Sequence, residues 1–263
     1  FHTAIQLFLT SLYCSAAKCL TDPQVDNEKN EELRHSRFRS LYASQKRFLR
    51  KEEEETLVEM YFGAGSYWYI QHELVQAERS ILHRSDEALT SRTGYAGGTG
   101  RGSEGRVCYH NFDNIADYVK LGHAEVVGIF MPEYAVQNFS TAFLNIFDPE
   151  TGERAGSQDR GPEFRSLIGI PDGVQNPLFD VINATASVQG FRFEVGNGDD
   201  PDSYGRDKLV YIYDLNKFPF YQAEVSMQFR DDIQSSFGKD YNSLVELALD
   251  DGRIVGQGCP DIF

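Results

Sequence analysis

The 263-residue chain has no apolar run of the roughly 18 residues that a membrane-spanning helix requires. It has one tryptophan and only four cysteines, at positions 14, 19, 108 and 259, with no Cys-x-x-Cys pair among them. Four cysteines are too few for a disulfide scaffold in a chain this long, and no histidine pair lies near them. The sequence therefore predicts a protein without a membrane span, a disulfide framework or a metal site.

Positive charge is also scarce. Lysine and arginine number 25 against 40 aspartates and glutamates, which gives a formal net charge of −15. A chain this acidic repels a phosphate backbone, so the sequence argues against nucleic-acid binding. The basic stretch from Arg34 to Lys51 is interpreted as a solvated, partly helical segment and not as a binding arm.

The composition, 41% hydrophobic and 25% charged, is typical of a folded domain with a core. Residues 56–230 are predicted to form that domain, preceded by a charged extension at 18–55 and followed by a tail at 231–263. Residues 1–17 resemble a signal or targeting segment, with a short buried helix as the alternative. The targeting interpretation implies the secretory route or an organelle, and its alternative implies the cytoplasm. Two glycosylation sequons, at Asn138 and Asn183, matter only in the secretory route.

The domain begins with a pattern of strand, glycine turn and helix. The apolar run 57–62 predicts a buried strand, Gly63-Ala64-Gly65-Ser66 a tight turn, and the spacing of apolar residues over 67–83 a helix. Further strands are predicted at 125–131, 164–170, 191–195 and 209–213, helices at 134–147 and 177–188, and a glycine-rich loop at 95–105. Several strands with few helices favour an α+β two-layer sandwich.

Ser66 occupies a position with two interpretations. A small residue between a strand end and a helix start is a good N-cap, and serine fills that role well. The same position also lets the helix dipole and free amides stabilise an anion, so that a thiol placed there would ionise. The local motif does not decide between them.

Five ordered sequence blocks bear on the choice. Gly65-Ser66-Tyr67-Trp68 resembles the Gly-Cys-Phe-Trp signature of the A-type peptide methionine sulfoxide reductases, with serine in place of the cysteine. Four more blocks agree in order with that family: Thr93–Gly98, Gly122–Val127, Asp159–Ser166 and Phe220–Glu224. The resemblance spans about residues 56 to 230. It implies the family's α+β fold, a two-layer sandwich of the ferredoxin-like plait type.

The resemblance also implies roles for individual residues. Ser66 stands at the nucleophile position, Glu125 matches the acid that protonates the sulfoxide oxygen, and Asp159 matches a residue that orients the substrate. Tyr67 and Trp68 match the aromatic pair that holds the substrate methyl group. A family tyrosine that contacts substrate corresponds to Tyr118 or Tyr109, because an insertion obscures the match. Cys259 resembles a recycling thiol, with an ordinary exposed thiol as the equal alternative.

The family reduces methionine S-sulfoxide in proteins and peptides, is recycled by thioredoxin or another thiol reductant, and needs no bound cofactor. The resemblance therefore implies a monomeric repair enzyme of oxidative stress. Serine at position 66 departs from this pattern, because a hydroxyl needs an adjacent base and supplies no thiol redox cycle. Phe164 and Met227 replace a family tyrosine and histidine, which favours natural divergence over an engineered change.

Three hypotheses follow from this departure. The first is a reductase whose activity is lost, feeble or moved to Cys108 or Cys259. The second is a pseudoenzyme that binds oxidised methionine without reducing it. The third is a structural protein that keeps only the fold. Retention of the aromatic and acidic residues favours the first two.

Overall fold

A computed structural model describes residues 56–260 apart from positions 155 and 157. The predicted targeting segment, the charged extension with its basic stretch, Cys14 and Cys19 all lie outside the described residues. Within the described part of the chain, no helix is long and apolar enough to cross a bilayer.

A mixed seven-stranded sheet is the framework of the domain, with strands in the order β5-β6-β4-β1-β3-β2-β7. Central strand β1 pairs antiparallel with β3 and β4, whereas β6 runs parallel to both β4 and β5. The strands are β1 (Leu57–Gly63), β2 (Arg92–Ala96), β3 (Ala124–Pro132), β4 (Leu167–Ile170), β5 (Arg192–Val195), β6 (Leu209–Asp214) and β7 (Tyr221–Gln222).

In residues 56–260, three longer α-helices and two short ones accompany this sheet. They are α1 (Tyr67–Ile81), α2 (Val136–Leu144), α3 (Leu178–Val188), α4 (Lys239–Asn242) and α5 (Leu244–Asp250). The mixed sheet with segregated helices confirms the predicted α+β class.

One face of the sheet carries the main core. Alternate residues of β1 and β3, such as Met60, Phe62 and Ile129, are buried against apolar side chains of α1, α2 and α3. Alternation places Glu125 on this same face, two residues before Val127. The sheet therefore directs the candidate acid toward the start of α1.

Among the residues that the structure describes, aromatic side chains and no helix cover the opposite face. Tyr61 lies flat over β4, where a Cβ on Gly169 would come within 2.0–2.3 Å of its ring, so only glycine fits there. The Tyr61 hydroxyl donates to the Phe218 carbonyl at 2.9 Å, and the segment around Phe218 and Phe220 packs on this face. Glycine on the strand thus allows an aromatic layer to seal the second face.

The structure confirms the strand, turn and helix around Ser66 and refines other boundaries. Tyr95 and Ala96, predicted to begin a loop, end strand β2 because they pair with Glu125 and Ala124. Helix α2 starts later than predicted, after a 3₁₀ turn at Glu133–Ala135, and β4 starts after a 3₁₀ turn at Pro162–Phe164. In the segment after residue 230, Tyr241, Leu244 and Ala248 of α4 and α5 are buried with Val75 of α1.

Buried Glu78 fixes the C-terminal half of α1. Its carboxylate accepts hydrogen bonds from the amides of Thr90 and Ser91 at 2.8 and 2.9 Å and forms an ion pair with Arg84. Arg84 also donates to the carbonyl of Phe130 on β3 at 2.8 Å. A fully paired buried carboxylate therefore links the helix to the loop before β2 and to the sheet.

Replacing Glu78 with alanine is expected to lower the free energy of unfolding by about 3–5 kcal/mol, because Arg84 and two amides lose a buried partner. Urea denaturation monitored by circular dichroism measures this loss. Ser80→Ala, at an exposed position of the same helix, is the control and should change stability by less than about 0.5 kcal/mol. Equal small effects in both variants would contradict the proposed role of the Glu78 network.

Candidate functional site

Ser66 lies between the end of β1 and the first residue of α1. Gly65 has a φ of +78°, which glycine adopts readily, and its amide donates to the Phe164 carbonyl at 3.0 Å. The Ser66 hydroxyl oxygen accepts a hydrogen bond from the Trp68 amide at 3.3 Å and so caps the helix. Ser66 is 9% exposed. The N-cap interpretation is confirmed, and the side chain stands where the helix dipole favours an anion.

Asp159 contacts Ser66 through the backbone. The Ser66 amide donates to Asp159 Oδ2 at 2.9 Å, and Arg154 donates to the Asp159 carbonyl at 2.6 Å. Partial burial raises the pKa of the Asp159 carboxyl. Asp159 therefore holds Ser66, the last residue of the turn, in place and presents a carboxylate beside it.

Glu125 is buried directly behind this turn. One carboxyl oxygen accepts from the Tyr67 amide at 3.0 Å and the other from the Tyr118 hydroxyl at 3.0 Å. Burial raises the pKa of Glu125 to about 8, because loss of solvent outweighs the two hydrogen bonds and the nearby carboxylates of Asp159 and Glu163 add to the effect. At neutral pH the carboxyl is therefore largely protonated and can donate a hydrogen bond or a proton.

Tyrosine rings surround the Glu125 carboxyl. Tyr118 stacks against Tyr95 with ring centroids 4.6 Å apart and against Tyr109 at 5.7 Å. Only Tyr118 of the two candidate tyrosines hydrogen-bonds Glu125 in the described structure, whereas Tyr109 is partly exposed at the outer end of the stack. Burial raises the pKa of Tyr109 to about 12, so its hydroxyl remains a donor at neutral pH.

Trp68 lies at the surface side of α1, and Tyr67 is buried beside it. The two rings are 5.6 Å apart, and the Trp68 indole N–H donates to the Met227 carbonyl at 3.0 Å. The Arg230 guanidinium lies 5.2 Å from the centre of the Trp68 ring. Because the bond to Met227 uses its main-chain carbonyl, this contact does not depend on the side chain at position 227.

Ser66 has no catalytic base among these partners. His72, the nearest histidine along the helix, stacks on Phe237 at 3.9 Å and contacts Glu73 at 2.9 Å. In the described region, the hydrogen bonds of Ser66 join its amide to Asp159, its hydroxyl oxygen to the Trp68 amide and its carbonyl to the Ile70 amide. The arrangement therefore leaves the serine hydroxyl without an activating partner.

The resemblance assigns roles to Ser66, Tyr67, Trp68, Glu125 and Asp159, and two of these five residues line a common cavity. Ser66 and Asp159 line a small cavity of about 40 Å³, whose opposite wall is formed by Asp232, Gln234 and Ser235. Glu125, Tyr67 and Trp68 are not among its lining residues. They meet Ser66 at the start of α1 instead, through the Tyr67 and Trp68 amides. The residues thus converge on one helix end, and two of them line this cavity.

Two residues that the sequence pattern does not single out, Arg165 and Glu224, hold the site together. Buried Arg165 donates to the carbonyls of Gly97 and Gly122 at 2.9 and 3.0 Å, which joins three of the five sequence blocks. Glu224 accepts from the Tyr95 hydroxyl at 2.9 Å and from the Tyr109 amide at 2.8 Å. Arg165 and Glu224 both lie within sequence blocks that resemble the family. Their position in those blocks was the feature of the sequence that could have identified them.

Cys259 forms a disulfide with Cys108, 151 positions earlier, with a Cα–Cα distance of 5.7 Å. Cys108 and Cys259, which were predicted to be independent cysteines, are therefore bonded to each other. The bond fastens the end of the described chain to the loop that carries Tyr109 and Tyr118. In this form neither sulfur is a free thiol.

The comparisons with known proteins found no matching family model and no matching curated protein. Among solved structures, methionine sulfoxide reductase A of Corynebacterium diphtheriae is 17% identical, with a TM-score of 0.37, 67% of this chain covered and 74% of that chain. Reduced Mxr1 from Saccharomyces cerevisiae is 17% identical, with a TM-score of 0.41 and coverages of 65% and 82%. Identities and TM-scores this low assign neither a family nor an activity to this chain.

The raised pKa of Glu125 predicts a pH-dependent stability. The folded protein holds this proton up to about pH 8, whereas the unfolded carboxyl releases it near its ordinary value of 4.5. The contribution of Glu125 is therefore fully present below that ordinary value and is lost as the pH rises through about 8. The stability of the wild type relative to Glu125→Gln is expected to fall over this range.

Urea denaturation of both proteins at pH values between about 5 and 9 measures the difference. Glu246→Gln, which alters an exposed carboxylate on α5, is the matched control and should show no comparable slope. A relative stability that rises with pH would mean that Glu125 is ionised in the folded state.

Proposed function

We propose that this chain is a divergent A-type peptide methionine sulfoxide reductase that retains the recognition and acid machinery for methionine S-sulfoxide but lacks the nucleophilic thiol. The observation that carries the proposal is the buried Glu125 carboxyl, which accepts a hydrogen bond from the first amide of α1 immediately beside Ser66 and whose pKa burial raises to about 8. The finer fold assignment, a ferredoxin-like plait of this enzyme type, is part of the same proposal.

A neutral carboxyl suits a sulfoxide. The sulfoxide oxygen is a strong hydrogen-bond acceptor and leaves poorly unless it is protonated, so a carboxylate would repel it and a carboxylic acid attracts it. Glu125 is held in the neutral form by burial and oriented by Tyr118. The same group serves recognition in the ground state and proton transfer during reduction.

Reduction also needs a thiol. In the family reaction a cysteine thiol takes the sulfoxide oxygen as a sulfenic acid and releases the thioether, and external thiols then return the cysteine with loss of water. Thioredoxin or a similar dithiol is the proposed reductant for any active form. Ser66 has the helix dipole but neither a sulfur atom nor a base, so the natural protein is expected to turn over near background.

Binding depends less on position 66. Trp68 is partly exposed and fixed by the Met227 carbonyl, which allows sulfur–aromatic contact with a substrate methyl group. Glu125 supplies the polar anchor. We therefore propose, as the second candidate function, a pseudoenzyme that binds oxidised methionine in proteins and does not reduce it.

Ser66→Cys is expected to raise reductase activity on a methionine S-sulfoxide peptide by several orders of magnitude. The comparison is the roughly 10⁶-fold loss seen when a catalytic serine is removed from a covalent mechanism elsewhere. Turnover is measured with dithiothreitol as reductant for the wild type, Ser66→Cys and Ser80→Cys. The last variant places a thiol on the exposed face of α1 and should stay at background. Adding Glu125→Gln to Ser66→Cys should then lower the rate by about 10²- to 10⁴-fold.

Two outcomes would contradict this proposal. Thiol-dependent turnover in the natural protein that Cys108→Ser or Cys259→Ser abolishes would mean that the nucleophile has moved to the disulfide pair. A Ser66→Cys variant that folds but gains no activity would mean that Phe164, Met227 or the inserted loop has also disabled the site.

The binding function makes a separate prediction. Trp68→Ala should weaken affinity for an S-sulfoxide peptide by at least about 10-fold, since one aromatic–sulfur contact contributes about 0.3–1.5 kcal/mol in addition to the area that the ring buries. Ser66→Ala should leave affinity within about twofold. Isothermal calorimetry with the sulfoxide peptide and its unoxidised thioether distinguishes specific recognition from general peptide binding. Equal affinity for both peptides would exclude the pseudoenzyme function.

A further inference from the structure

The Cys108–Cys259 pair has a third potential ligand beside it. The two sulfur atoms and one carboxylate oxygen of Glu224 all lie within 4.8 Å of one another. Cysteine sulfur and carboxylate oxygen are both established ligands of zinc. In the described part of the chain, no other group of three histidine, cysteine, aspartate or glutamate side chains comes close enough to share an ion.

Glu224 is held in place independently of the cysteines. One carboxylate oxygen accepts from the Tyr95 hydroxyl at 2.9 Å and the other from the Tyr109 amide at 2.8 Å. A carboxylate has about four lone-pair positions, so each oxygen retains capacity for a further partner. These two donors act as outer-shell contacts that orient a ligand before an ion arrives.

We propose that reduction of the Cys108–Cys259 disulfide converts this group into a zinc site. An external dithiol transfers two electrons to the disulfide, its own thiols become a disulfide, and Cys108 and Cys259 become thiols. Binding of Zn²⁺ then releases the two thiol protons and forms bonds to both sulfurs and to Glu224. Three protein ligands leave the fourth tetrahedral position for water.

The backbone spacing suits both forms. Tetrahedral zinc with Zn–S bonds of about 2.3 Å places two sulfurs roughly 3.8 Å apart. The Cα atoms of Cys108 and Cys259 are 5.7 Å apart, so rotation of the two side chains about their Cα–Cβ bonds can supply this separation. Thiolates select a borderline-soft ion, whereas Mg²⁺ and Ca²⁺ prefer sites made only of oxygen.

The site also has an entry path. Glu224 and Cys259 both line a groove of about 900 Å³ between residues 224–231 and the chain end at 256–260. Cys108 is buried behind them at the inner side. An ion can therefore reach the two sulfurs from solvent without rearrangement of the sheet.

Zinc binding to the full-length chain tests the proposal. The protein carries Cys14→Ser and Cys19→Ser so that only the two paired cysteines can bind, and it is compared in reduced and oxidised forms. We expect one equivalent of Zn²⁺ in the reduced form, none in the oxidised form, and two Zn–S bonds of about 2.3 Å by X-ray absorption. A disulfide that a dithiol cannot reduce in the folded protein, or no zinc uptake after reduction, would overturn the proposal.

Variants identify the ligands. Loss of an outer-shell partner weakens metal affinity by roughly 10- to 100-fold, and Cys108→Ser should weaken zinc binding by more than this. Glu224→Gln should weaken zinc binding by at least about 10-fold. Glu246→Gln is the control and should not change the affinity. Unchanged affinity in Cys108→Ser would place the ion elsewhere and refute the site. Because the readout is zinc uptake, the result does not depend on whether the protein reduces or binds methionine sulfoxide.

Discussion

Burial of one carboxyl group, that of Glu125, is the constraint on which the candidate site depends. Strand β3 places it on the helix-covered face of the sheet, where the Tyr67 amide and the Tyr118 hydroxyl are its hydrogen-bond partners. A fully ionised carboxylate at this depth would be costly to desolvate, so burial maintains the proton and the two donors set the orientation. Tyr118, which donates to Glu125, is itself stacked between Tyr95 and Tyr109.

The reactivity at the neighbouring position 66 depends on whether the side chain carries sulfur or oxygen. The turn at Gly65 and the cap at Ser66 create an environment in which a sulfur would ionise, while an oxygen in the same place caps the helix and does little else. Asp159 fixes the amide of Ser66 regardless of which atom the side chain carries. The geometry of the site is therefore separable from its reactivity.

The sequence predicted what short-range patterns can specify. Helical spacing after residue 66 and the apolar run before it gave the strand, turn and helix correctly, and five ordered blocks brought Glu125, Asp159 and Ser66 to one helix end. Strand β2 was not predicted from the sequence, because Gly94 interrupts its apolar pattern and a glycine-rich loop follows it. Helices α4 and α5 were missed because each is short and lacks a long periodic pattern. Pairing of Cys108 with Cys259 depends on a contact between distant segments, which spacing does not encode. The choice between Tyr109 and Tyr118 depends on the path of the loop before β3, which turns the Tyr118 hydroxyl toward Glu125.

The disulfide also determines how the chain is divided topologically. Cys108 and Cys259 close a covalent ring that contains Tyr118, Glu125 and Asp159, while Ser66 and Trp68 lie on the open segment before it. A single peptide-bond cleavage anywhere inside the ring leaves every site residue covalently connected. A cleavage between residues 69 and 107 instead leaves the nucleophile position and the acid on separate molecules, held together by noncovalent contacts such as the pairing of β1 with β3 and β4 and the Tyr67–Glu125 hydrogen bond. The disulfide therefore keeps Tyr118, Glu125 and Asp159 covalently connected after a cleavage inside the ring, but it gives Ser66 and Trp68 no such protection against a cleavage before the ring.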